Sequence, residues 1–131
     1  MKKYLIILVF FFILNSNVMA EWIEIGKMDE PKGKFYIDIK TLTDDGEYLY
    51  VWTLRDFEKS IKKEGKFILS GKIFEKIDCN PKRAAGIQYL FYEGGMGSGK
   101  VDTFQRDQLK WNYFPPGSIM GNVIDALCDN R

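Results

Sequence analysis

Seven consecutive residues, Gly94-Gly95-Met96-Gly97-Ser98-Gly99-Lys100, match GxxxxGK, the opening of a phosphate-binding loop. Such a loop holds phosphates with backbone amides and the N-terminus of a following helix, and a Ser or Thr after the lysine binds magnesium. Here Val101 follows Lys100, and residues 100–105 read as a strand. The stretch is therefore expected to be a flexible hairpin loop. The chain contains no histidine, so the usual base for a Ser or Cys nucleophile is missing. Ser98 and Ser118 lack a GxSxG context. Asp38, Asp44, Asp45, Asp56 and Asp78 could in principle pair for acid–base or glycosidase work, but turns and solvated strand faces account for each of them. Asp44, Asp45 and Glu47 lack EF-hand spacing. These patterns predict a non-catalytic protein with no cofactor and no metal site.

Two basic clusters are better candidates for recognition. Lys59, Lys62, Lys63 and Lys66 fall in a polar segment read as a solvated loop. Lys82 and Arg83 follow the Asn80-Pro81 turn and are expected to be free of structural duty. Clustered positive charge suits acidic partners, such as sulfated glycans or acidic protein segments. Trp111, Tyr113 and Phe114 could form a recognition platform, but are expected to pack over the open end of a sheet.

The first residues place these clusters outside the cytoplasm. Lys2 and Lys3 precede an apolar run from Tyr4 to Leu14, and Val18-Met19-Ala20 suits a signal peptidase. Residues 1–20 are thus expected to be a cleavable secretory signal peptide, and residues 21–131 a single domain. No cysteine lies at the cleavage site, so no lipid or other stable membrane anchor is expected to remain. With Lys2 and Lys3 removed, seventeen basic residues face eighteen acidic ones, a net charge of −1. A near-neutral domain has no global field to draw it to nucleic acid, which is excluded as a partner. Cys79 and Cys128 are the only cysteines, and an oxidising compartment favours one disulfide between them. A redox or metal pair is disfavoured because there is no CxxC spacing and no histidine.

The elements that must position these residues read mainly as strands. Residues 21–25 form a short β-rich run that Gly26 ends, and Pro31 and Gly33 mark a turn. In residues 35–40, Phe35, Ile37 and Ile39 share one face, and Asp38 and Lys40 the other. Asp44-Asp45-Gly46 is a turn. Residues 48–57 are apolar on both faces and read as a central strand covered on each side. Residues 67–79 form another strand, with a bulge or close backbone approach expected at Gly71. Residues 84–93 and 100–105 follow as strands. Short connections favour an antiparallel meander. Ile119, Met120, Val123, Ile124, Leu127 and Cys128 recur at helical spacing behind Ser118, a good N-cap. The fold class is therefore α+β, mainly antiparallel β, with about six strands and one C-terminal helix. Burying the helix stripe on the sheet would bring Cys128 beside Cys79. An exposed edge strand could pair to make a homodimer.

Trp22, Phe35-Tyr36-Ile37-Asp38, Thr41-Leu42, Val51-Trp52-Thr53-Leu54-Arg55-Asp56-Phe57, Ser70, Ile77-Asp78-Cys79, Arg83, Trp111, Pro115-Pro116-Gly117-Ser118-Ile119 and Cys128 follow one another in an order and spacing that resemble the bacterial surface-adhesin protein E family. The resemblance covers essentially the whole chain after the signal. It implies an antiparallel sheet, a C-terminal helix and a Cys79–Cys128 disulfide. It also implies an adhesin-like binding protein whose relatives act at the cell surface on host extracellular-matrix and plasma proteins. The family's namesake is a lipoprotein, and the missing lipid-attachment cysteine implies a periplasmic or secreted product here. The alternative function is a resident periplasmic envelope protein, such as an inhibitor or assembly factor.

Overall fold

The computed structural model describes residues 20–131; the expected signal peptide lies outside the described residues apart from Ala20. Six strands follow in order: β1 (Ile23–Asp29), β2 (Lys32–Asp44), β3 (Leu49–Lys63), β4 (Lys66–Cys79), β5 (Lys82–Tyr92) and β6 (Val101–Gln105). One helix, α1 (Ile119–Asp129), closes the chain. The sheet order is β1-β2-β3-β4-β5-β6 and every pair is antiparallel. This is the meander that short connections demand. Asp44 and Asp45 build the β2–β3 turn by accepting backbone N–H bonds: Gly46 to Asp44 at 2.8 Å, Glu47 and Tyr48 to Asp45 at 2.9 and 2.6 Å. The chain leaves β6 and returns along the first half of β5, where Ala84 and Asn112 exchange backbone hydrogen bonds of 3.0 and 2.8 Å.

The helix begins where its sequence predicts. Ser118 Oγ accepts the Gly121 N–H at 3.1 Å and so satisfies one free N-terminal donor. Met120, Val123 and Ile124 are buried against Phe35, Ile37, Leu49, Val51, Ile77 and Ala84. These strand residues share one side of the sheet, here called the helix face. Cys128 is bonded to Cys79 across this interface, with a Cα–Cα distance of 5.6 Å and a sequence separation of 49 residues. Packing and the cross-link thus specify the same docking.

Several strand expectations change at irregular pairings. Gly26 does not end β1; the strand continues to Asp29 through a register shift between Glu24 and Gly26. In β2, Ile37 is buried but Ile39 is 40 % exposed, while Asp38 is only 3 % exposed. The register shift between Asp38 and Thr43 breaks the alternation there. Asp38 is satisfied locally, its carboxylate accepting the Lys40 N–H at 3.2 Å and its carbonyl accepting the Thr41 hydroxyl at 2.7 Å. The bulge expected at Gly71 falls at Phe74/Glu75 instead, and Gly71 stays in register with Arg55 and Phe91.

β3 is not covered equally on both sides. Leu49, Val51 and Thr53 lie on the helix face and are buried; on the opposite or open face Leu54 is fully buried as expected, but Tyr50 and Trp52 remain half-buried. Residues 59–66 are not a loop. They form the far end of a β3–β4 hairpin closed by Glu64 and Gly65, both with positive φ (50° and 77°) as a two-residue turn of the I′ kind requires.

Candidate binding surfaces

The basic residues fall into two structural situations. Lys82 Nζ lies 2.9 Å from Asp125 and 3.6 Å from Asp129 on α1. The Asp125 hydrogen bond, helped by the charges of Asp125 and Asp129, raises Lys82 above the usual lysine range. Arg83 Nε donates to Asp78 at 3.1 Å, and its guanidinium sits 4.2 Å from the centre of the Trp111 ring. Both residues therefore have structural duty, contrary to the expectation that the turn leaves them free. Lys66 Nζ is likewise 2.8 Å from Asp102 on β6.

Lys59, Lys62 and Lys63 differ. They are exposed on the β3 arm of the hairpin, and none has an acidic partner within ion-pair distance among the described residues. Lys62 stands directly opposite Phe67 in register. Phe67 is 66 % exposed, the same as Tyr113 and more than the other exposed large apolar side chains. Sequence reading passed over Phe67 because it opens a strand that looks destined for the core. The signal was the register: Phe67 falls out of phase with Ile68, which is buried.

A second surface runs across the open face. The Trp52 and Phe74 rings are 5.1 Å apart, Phe74 and Tyr50 5.8 Å, and Tyr48 and Trp111 5.8 Å. Lys76 Nζ lies 4.1 Å from the Tyr48 ring and 6.0 Å from both Tyr50 and Trp111, joining the two stacks. Trp111 thus packs on the sheet as expected and Phe114 reaches the core, but Tyr113 is 66 % exposed. At the other end of the open face, the glycine loop is tied down. Ser70 Oγ donates to the Gly94 carbonyl at 2.6 Å and accepts the Gly97 N–H at 2.9 Å, and the Met96 N–H reaches Asp56 at 2.8 Å. Strand β6 follows it, so no helix N-terminus stands behind this GxxxxGK match.

The helix face holds a buried charge at its midpoint. Glu75 is 5 % exposed, with Oε1 3.3 Å from the Thr53 hydroxyl and 3.5 Å from Arg55 Nη2. Burial pushes the Glu75 carboxyl above the ordinary range, against the opposing pull of Arg55 and Thr53. Arg55 in turn donates to Thr53 Oγ1 at 3.2 Å and lies 4.8 Å from the centre of the Phe35 ring. Glu75, Arg55 and the Thr53 hydroxyl satisfy one another's charge and hydrogen bonds, as a buried structural ion pair requires.

Among the described residues no helix is long and apolar enough to cross a membrane, and no cluster of His, Cys, Asp and Glu is arranged to hold a metal. The sequence model of the family described as surface-adhesin protein E matches residues 22–129. No curated protein matches the sequence. Among solved structures, Haemophilus influenzae protein E is similar at 17 % identity and a TM-score of 0.63, over 87 % of this chain and 88 % of that one. A second crystal form of that protein gives a TM-score of 0.65 at 15 % identity, over 87 % and 91 %. Protein E from non-typeable Haemophilus influenzae gives 0.64 at 16 % identity, over 88 % and 80 %. At these identities the structural likeness establishes the shared fold.

Proposed function

Since the chain belongs to the surface-adhesin protein E family, we propose that it is an exported, non-catalytic, adhesin-like protein that binds acidic segments of host extracellular-matrix or plasma proteins through the tip of its β3–β4 hairpin. One observation carries the assignment to this tip: Phe67 is 66 % exposed and faces Lys62 across the hairpin, with Lys59 and Lys63 nearby and unpaired among the described residues. An exposed aromatic ringed by unspent charge combines an anchor for a partner's pocket with steering toward an acidic surface. Lys82 and Arg83 are better placed to hold α1 and Trp111 than to meet a partner. They stand at the Cys79 end of β4, the opposite end from the hairpin tip, so any partner they meet is met at a separate surface.

The test measures binding to immobilised matrix and plasma proteins as salt is raised. Lys59→Glu with Lys62→Glu should abolish most binding, Phe67→Ser should weaken it at all salt concentrations, and the wild-type affinity should fall with salt. Binding that ignores salt and both changes would refute the hairpin as the site. Location is tested in parallel. Surface labelling of intact cells, or recovery from the medium, fits the adhesin role. Release by osmotic shock alone would make the protein a resident of the periplasm and would overturn a host-binding role.

A further inference from the structure

Beyond Glu75, the helix face continues without a helix over it. There the end of the β3–β4 hairpin and the start of the segment after β6 enclose a cavity of about 210 Å³. Its walls are apolar and come from four strands: Phe57, Ile68, Ile73, Tyr89, Phe91 and Phe104. Tyr89 and Phe104 meet edge to face at 5.8 Å, and Tyr89 and Phe91 are 6.1 Å apart. The charged groups at the cavity are Arg55, Lys63, Glu64 and Arg106. Arg55 is held by Thr53 and Glu75. Arg106 is not committed to a carboxylate among the described residues. Its guanidinium lies 5.6 Å from the Tyr89 ring centre and 5.8 Å from that of Phe104, and its Nε donates only a long bond, 3.4 Å, to the Tyr89 hydroxyl.

We propose that this cavity binds a small amphiphile with an anionic head and an apolar body, of the class of a medium-chain carboxylate. Charge decides the class. With Arg55 offset by Glu75, the rim carries Arg106 and Lys63 against the single carboxylate of Glu64, leaving an excess positive charge beside an apolar hollow. A guanidinium presents a fork of N–H donors that matches a carboxylate, and this one already rests on the rings where the ligand's chain would lie. The cavity is smaller than the roughly 300–1,000 Å³ typical of sites for drug-sized ligands, so the occupant must be short. The chain would displace water from Tyr89, Phe91 and Phe104, while the head pairs with Arg106 at the mouth. This site adjoins the hairpin surface proposed for adhesion and shares Lys63 with it, but not Lys59, Lys62 or Phe67.

Titration of the domain with octanoate, octan-1-ol and acetate, followed by calorimetry and by ring-proton NMR, tests the assignment. Octanoate should bind one to one and shift the Tyr89, Phe91 and Phe104 resonances. Octan-1-ol and acetate should each bind at least about tenfold more weakly, since each lacks one half of the recognition. Arg106→Gln, at an exposed position, should keep the melting temperature and the octan-1-ol affinity while losing about tenfold for octanoate. The Lys59→Glu, Lys62→Glu variant should bind octanoate as the wild type does, whatever becomes of adhesion. Equal affinity for the acid and the alcohol, an Arg106→Gln variant that binds octanoate normally, or no saturable binding below the micelle concentration would each overturn the proposal.

Discussion

The two ends of the helix face share β3, β4 and β5 yet reach opposite outcomes. At the Cys79 end, Leu49, Val51, Ile77 and Ala84 are at most 2 % exposed, sealed by α1 and the disulfide. At the far end, Ile73, Tyr89, Phe91 and Phe104 stay half-exposed around a cavity with cations at its rim. Length explains the difference. The 11 residues of α1 span about 16 Å, whereas the 15 residues of β3 run to about 50 Å. One short helix cannot cover such a strand. Among the described residues the chain supplies no second α-helix; Lys63 and Glu64 at the hairpin's end stand at the cavity's rim instead. The sealed end holds the fold together, and the open end is free to meet other molecules.

That contrast can be broken first at its cross-link. Replacing Cys79 and Cys128 together by Ser removes the closure of a 49-residue separation, and a loss of about 4 kcal/mol in unfolding free energy is expected from the chain-entropy model. Denaturant melts would measure it, and a loss below about 1 kcal/mol would mean that packing alone docks α1. Next in size, Ile77→Ala at the sealed end should cost about 3 kcal/mol. Phe104→Ala on the half-exposed wall should cost clearly less despite removing a larger side chain. Equal costs would erase the distinction between the two ends.

A subtler effect is expected at the boundary. Glu75 has its carboxyl raised by burial, so it favours folding most when protonated. Its contribution is complete below the unfolded-state value and is lost as pH rises through the higher folded value. Glu75→Gln keeps a partner for Thr53 but cannot ionise. Its melting temperature relative to wild type should therefore climb as pH goes from acid to neutral, and a constant difference would show that Glu75 does not titrate there. The smallest effect belongs to Lys82→Ala. Its solvent-exposed pairing with Asp125 and Asp129 should leave the melting temperature almost unchanged, and a clear drop would make Lys82 a true clamp on the helix.

The sealed end was readable from the residues because two signals there agree. The helical spacing of Met120, Val123 and Ile124 names one buried stripe, and Cys128 on that stripe names the strand it meets. The Ser118 cap and the Asp44-Asp45-Gly46 turn use local bonds that sequence reports directly. The open end was harder because its signals are non-local. Asp38 keeps its expected register opposite Trp52, but the irregularity that follows it leaves Ile39 exposed, and alternation alone carries no mark of it. The lysines of residues 59–66 look like a loop by composition, yet their backbone pairs across a Glu64-Gly65 turn, where Glu occupies a position more often filled by Asn, Asp or Gly. The Lys82–Asp125 ion pair reaches across 43 residues to α1, beyond any local pattern. Arg55 and Arg106 are far apart in sequence and line one cavity only because the fold brings β3 and the segment after β6 together.

The strands' unequal lengths bear on how this molecule behaves when crowded. The four inner strands have 13, 15, 14 and 11 residues, but the outermost two have only 7 and 5. β1 is further kinked by its Glu24/Gly26 irregularity, and beyond β5 the border is split between β6 and the single Ala84–Asn112 bridge. Short, bent and interrupted borders give a neighbouring chain little straight backbone to zip onto. A sheet with long, sticky strands is thus finished at both margins so that copies packed closely together resist fusing into fibrils.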